Sequence, residues 1–144
     1  MVFPWLTAYR DWGLLALRVA VGIIFIVHGQ AKFGLLAGTS QALAQGNTLG
    51  AILGPIGILE VIGGFALILG LASQVVCLFF SVDMLGAIMV KNLMMATGFM
   101  GRNTTGWEFD FALLAANIAL LLVGPGRFAL FPRGRLDRGL APSA

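Results

Sequence analysis

Charge is scarce in this chain. Of its 144 residues, 10% are Asp, Glu, Lys or Arg, while 59% are hydrophobic. An ordinary soluble domain carries about 25% charged residues, so there is too little polar surface here to coat a fold in water. Histidine and cysteine are rarer still, with one of each. A single histidine excludes bis-histidine haem ligation within the chain. A single cysteine, Cys77, excludes an intramolecular disulfide and any Cys-x-x-Cys relay. Set in the apolar run VVCLFFSV, Cys77 reads as a small buried hydrophobe. No His/Cys cluster offers a metal site, and no glycine-rich loop ends in Gly-Lys-Ser/Thr to cradle phosphates. Nor do basic residues alternate with aromatics in a polar stretch, which excludes a nucleic-acid surface. Any redox chemistry therefore needs an electron carrier that is diffusible or held by a partner.

What the chain does have is long apolar runs. A helix that crosses a bilayer needs about 20 apolar residues. Four segments approach that length: about 13–33, 50–71, 74–95 and 107–123, the last being the shortest. They are too long for barrel strands of about 9–11 residues and do not alternate. In lipid every backbone N–H and C=O must pair internally, so helix is the remaining choice. The expected fold is an all-α integral membrane four-helix bundle, with the lipid bilayer as its first partner.

The links refine this picture. Leu71-Ala-Ser-Gln74 is so short that spans two and three should form a tight antiparallel hairpin. The longer link 34–49 suits a short amphipathic helix along the surface. Span two carries Gly54, Gly57, Gly63 and Gly64, which marks it as the central packing helix. Pro55 falls near its start, where a missing N–H is best tolerated. Trp5, Tyr9 and Trp12 lead into span one at headgroup level. That span has no small-residue cleavage site and should be retained. After span four, Gly124-Pro-Gly-Arg127 stops the helix. Residues 1–131 thus read as one transmembrane domain and 132–144 as a polar tail. Arg10, Arg127, Arg133, Arg135 and Arg138 cluster on the side that bears both ends, against Arg102 on the other. The positive-inside rule then puts both termini in the cytoplasm.

The functional clues are ionisable residues inside these spans: Arg18, His28 and Lys32 in the first, Glu60 in the second, Asp83 and Lys91 in the third. Glu108 and Asp110 open the fourth. A charge at the centre of a membrane helix costs roughly 2.5–3.5 kcal/mol. Glu60 and Asp83 are too short to reach the headgroups, so they must be protonated, paired or turned to a cavity. His28 and Lys32 are four apart and share a helical face, and Arg18 lies about 40° from Lys32 on the same wheel. Span one should therefore turn a polar stripe to the interior. Arg18 has two outlets, pairing inside or snorkelling to the cytoplasmic headgroups. Asn117 reads as a link between helices.

Three stretches, in this order, resemble the DoxX family. LRVAVGIIFIVHGQAKF matches its Leu-Arg, apolar run, His-Gly and Lys. GPIGILEVIGGFALILGL is similar to its Glu-x-x-Gly-Gly helix, and WEFDFALLAANIALLLVGPGRFAL to its Glu-bearing helix with Gly-Pro-Gly-Arg. The resemblance implies a multi-pass protein of the bacterial cytoplasmic membrane. Its relatives include a subunit of thiosulfate:quinone oxidoreductase, and others are tied to oxidative stress. Arg18, His28, Lys32, Glu60 and Glu108 fall on the family's polar positions. Lys91-Asn92 departs from it, since a histidine is common there. The first expectation is a redox-complex subunit with no resident cofactor, binding a diffusible quinone through His28, Lys32, Glu60 and Glu108, with Arg18, Asp83 and Lys91 as further candidates. Phe25, Phe33, Phe65, Phe79 and Phe80 are candidates to flank the ring. The rival readings are a membrane anchor for a redox partner and a transporter of a small hydrophobic or weakly acidic molecule, which would need homo-oligomerisation.

Overall fold

The computed structural model describes residues 3–101 and 105–130. The tail beyond Leu130, with Arg133, Arg135 and Arg138, lies outside the described residues, as does Arg102. The described chain is all-helical, without strands. A 3-10 turn (Pro4–Tyr9) runs into α1 (Arg10–Ala31). A second 3-10 turn (Phe33–Gly38) and the short α2 (Thr39–Ala44) lead to α3 (Thr48–Leu69). Then come α4 (Ser73–Met89), a π-helical turn (Val90–Met94) and α5 (Glu108–Val123).

Three stretches are long and apolar enough to cross a membrane: Trp5–Ala31, Thr48–Leu69 and Ser73–Met94. The fourth, α5, has 16 residues. At 1.5 Å per residue that is about 24 Å, short of a hydrocarbon core about 30 Å thick.

The termini of α3 show why it begins and ends where it does. Asn47 caps it, its Oδ1 accepting from the Gly50 N–H at 3.0 Å. Because α3 starts at Thr48, Pro55 lies inside the helix rather than near its start. The carbonyl four residues before it, that of Ala51, loses its helical donor. At the other end Gly70 takes φ 76°, a left-handed cap, and the Leu71 N–H reaches back to the Ala66 carbonyl at 2.8 Å.

Packing pairs the helices differently from the expectation of a tight hairpin between spans two and three. The connection is short, but α3 packs most closely on α1, and α4 on α5. The reason is side-chain size. Along the α1–α3 seam a Cβ on Gly22 would lie 2.8 Å from the Gly64 carbonyl oxygen, and one on Gly57 would lie 2.8 Å from that of Gly29. Backbones therefore touch, as small residues allow in lipid. Between the two pairs sits the larger core of Val21, Phe25, Leu67, Phe80, Met84 and Leu120. The link 33–44 folds back onto the start of α3, where a Cβ on Gly54 would meet Leu36 at 3.1 Å.

At one end the chain is stitched together. The Arg127 N–H donates to Asp11 Oδ1 at 3.2 Å, and Trp12 lies 4.6 Å from the Phe128 ring. Trp5, Tyr9 and Trp12 are exposed at this end, as aromatics at a membrane interface are.

The seam predicts unequal tolerance to added volume. Gly64→Leu should push α1 from α3 and lower stability by roughly 1–3 kcal/mol. Gly86→Ala, in α4 with nothing within 4 Å of its Cβ position, should cost no stability and can add up to about 1 kcal/mol through helix propensity. Thermal melts of the two purified variants in mild detergent check this.

Candidate functional site

Away from the stitched end, four helices bring charged groups together. Lys32 directly follows α1 and turns its Nζ to Glu60 Oε1 on α3, at 2.7 Å. Glu60 is 0% exposed and Lys32 retains a quarter of its side-chain exposure. The backbone contact at Gly29 and Gly57 is what lets this side chain reach across. Asp83, on α4, is the carboxyl group that neighbours Glu60. Glu60 Oε2 and Asp83 Oδ2 are both buried and have no hydrogen-bond partner.

A second pair lies nearby. Lys91 Nζ sits 2.7 Å from Asp110 Oδ2, in the first turn of α5. This contact is an ion pair rather than a directed hydrogen bond, since Asp110 Oδ2 has no aligned donor. Lys91 belongs to the π-helical turn, whose wider loop resets the direction of the side chains that follow α4. His28 lies close enough to Lys32, Asp83, Lys91 and Asp110 to feel each charge, and its ring centre is 5.7 Å from that of Phe109. His28, Lys32, Glu60, Asp83, Lys91 and Asp110 thus form one polar cluster.

Several expectations change. The interior polar stripe on α1 breaks at His28, which is exposed, because the seam with α3 uses the face carrying Gly22 and Gly29. Arg18 neither pairs with a carboxylate nor snorkels. It is 1% exposed and donates to the carbonyls of Pro125 (2.6 Å), Ile68 (3.1 Å) and Phe128 (3.4 Å). The turn after α5 supplies acceptors at its depth, so it stays inside, in the stitched end. Glu108 is half-buried and makes no ion pair among the described residues. The carboxylate of α5 that pairs with a lysine is Asp110, two residues on. Asn117 donates to the Leu113 carbonyl of its own helix at 2.9 Å rather than linking helices.

The aromatic flanks also differ. Phe25 and Phe80 stack on each other at 3.6 Å in the core, which leaves no slot between them. Phe79 packs beside Phe80, and Phe33 and Phe65 are exposed. Phe109 is the ring that meets the cluster. A cleft of about 210 Å³ opens at the stitched end, lined by Arg10, Asp11, Leu14 and Arg127 among others. It contains none of the candidate residues.

Comparison with known proteins places the chain in a family. The DoxX family pattern matches residues 13–93. A Bacillus subtilis protein named "Putative oxidoreductase CatD" is 38% identical over 120 residues, covering 83% of this chain and 85% of its own length. The chain belongs to the DoxX family. The Escherichia coli inner membrane protein YqjF is 26% identical, across 84% of this chain and 91% of its own. An uncharacterized membrane protein of Mycobacterium tuberculosis is 28% identical, across 81% and 78%. No solved structure matches. The DoxX match contains Arg18, His28, Lys32, Glu60, Asp83 and Lys91, and it ends before Glu108 and Asp110. This is a membrane protein whose familial part holds most of the cluster.

The Lys32–Glu60 pair generates a stability prediction. Lys32→Met leaves a buried carboxylate without its cation, a loss of roughly 3–5 kcal/mol. Adding Glu60→Leu removes the stranded charge, so the double variant should recover most of it. A double-mutant cycle from detergent unfolding titrations reads the coupling.

Proposed function

We propose that this DoxX protein is the integral membrane subunit of a redox complex and binds a quinone or similar hydrophobic ring compound at the polar cluster. The observation that carries the reading is the exposed His28 beside Phe109, at the edge of a buried group of ionisable residues. A ring compound partitions into the bilayer and meets that edge from the lipid. His28 and Lys32 are the hydrogen-bond donors for its carbonyl or hydroxyl oxygens, and Phe109 offers a face for the ring. Bound there, a quinone supplies two-electron, two-proton redox chemistry. This chain's residues bind it, orient it and exchange protons with it. Imidazole suits the last task, with an unperturbed pKa of about 6.5. The electrons come from a partner or a soluble carrier. The similarity to a protein named as an oxidoreductase supports the same class.

Small molecules extracted from protein purified in mild detergent test the proposal by mass spectrometry. A ring compound retained by the wild type and lost in His28→Ala and Glu60→Gln is the expected result. Equal retention in all three sinks the assignment. A bundle carrying only phospholipid favours the anchoring role instead.

We further propose that α5 is the fourth crossing, in a bacterial cytoplasmic membrane, with both termini on the cytoplasmic side. Its supports are the contacts of α5 along α4, from Lys91–Asp110 near one end to the Gln74 side chain on the Leu121 carbonyl at the other. The joining of Asp11 to Arg127 adds to them, because it brings the start and finish of the bundle to one side. Cysteines placed singly at residue 3 and residue 130, in a Cys77→Ser background, should both resist an impermeant thiol reagent in intact cells. Labelling of one but not the other would remove α5 as a crossing.

A further inference from the structure

α3 and α4 are joined by Gly70, Leu71 and Ala72 alone, so positions equally far from that turn lie at the same depth. Gly63 and Phe80, within one residue of equal distance from it, are such a pair: a Cβ on Gly63 would lie 2.8 Å from the tip of the Phe80 ring. Glu60 and Asp83 are the next, three residues further from the turn on each helix and so on the same faces. The hairpin register alone thus sets two carboxyl groups opposite each other, well inside the bundle.

Their hydrogen bonding is incomplete in a specific way. Glu60 Oε1 is held by Lys32 at 2.7 Å. Glu60 Oε2 and Asp83 Oδ2 are buried with no donor. Two ionised carboxylates placed face to face repel strongly where water does not screen them, and each bare oxygen is costly. One proton removes both faults: the carboxyl that carries it donates to the other. The surrounding charges agree. Lys32 beside α1 and Lys91 beyond α4 face three carboxyl groups, those of Glu60, Asp83 and Asp110 on α5. With one proton on the pair these five groups sum to zero. His28, the remaining titratable group in the cluster, is exposed and gives neither buried oxygen a donor.

We infer that Glu60 and Asp83 share one exchangeable proton, forming a proton-binding site between α3 and α4. The pair carries one negative charge, which Lys32 answers. This site rests on the hairpin register and on the unpartnered oxygens, not on the binding of a ring compound.

Infrared spectroscopy of the full chain in lipid, moved from H2O to D2O near neutral pH, tests it. The expected wild-type spectrum contains a carboxylic-acid C=O band that shifts on exchange. That band should vanish in Glu60→Gln and in Asp83→Asn and persist in Asp11→Asn. Carboxylate bands alone in the wild type would overturn the inference. So would an acid band of full intensity in either the Glu60 or the Asp83 variant. Side-chain ¹³C labelling of all Glu, and separately of all Asp, needs no variant that must fold. A shared proton makes the acid band respond to both labels, whereas a response to one label or to neither overturns the sharing. A chain that retains no quinone still gives this band, so its loss and the failure of the ring-binding proposal are separate results.

Discussion

Four glycines let α1 and α3 meet backbone to backbone, and the position of most charged groups follows from that contact. Because Gly29 and Gly57 carry no side chains, Lys32 starts near enough to α3 to reach Glu60. A helix pair held apart by leucines would leave that carboxylate alone in a medium where an unpaired charge is not tolerated. The same seam fixes the rotation of α1. With Gly22 and Gly29 turned to α3, Phe25 faces the core and His28 faces outward. A packing preference for small residues in lipid thus becomes a placement rule for chemistry.

The second helix pair meets the first through larger side chains, and this difference leaves room for polar groups between them. Phe25 against Phe80 fills the middle. One layer away, where the α3–α4 register brings residues of equal depth together, the facing side chains are Glu60 and Asp83 rather than apolar ones. The π-helical turn then directs Lys91 to Asp110. Each device is local, yet together they draw charges from four helices into one region.

Much of the fold was legible in the sequence, because apolar run length and glycine or proline stops are local signals. Three helices long and apolar enough to cross a membrane follow from run length, and the Leu71–Gln74 link marks a short connection. The partnering of the helices was not legible. A short link says which helices are joined, whereas the glycine positions on both surfaces decide which pair packs closest. Lys32 and Glu60 could be singled out because an ionisable residue in an apolar run is conspicuous. That they touch each other was hidden, since it depends on the rotation of two helices. The setting of Arg18 is hidden for a related reason. Its acceptors are carbonyls of Ile68, Pro125 and Phe128, and backbone groups leave no mark in the amino-acid pattern.

The two ends of the bundle treat buried charge in opposite ways, and this contrast bears on function. At the stitched end Arg18 is answered by carbonyl dipoles. Guanidinium stays protonated at any ordinary pH, and carbonyls do not titrate, so this arrangement holds the turn after α5 in place without exchanging anything. At the other end the charged partners among the described residues are Lys, His, Asp and Glu, each able to gain or lose a proton. A structural lock needs only the first kind of chemistry. The second kind also sets two oxygens without donors, Glu60 Oε2 and Asp83 Oδ2, on neighbouring helices, where a single proton or a polar ligand atom can join them; the unpaired Arg18 Nε at the stitched end has no such counterpart to share with.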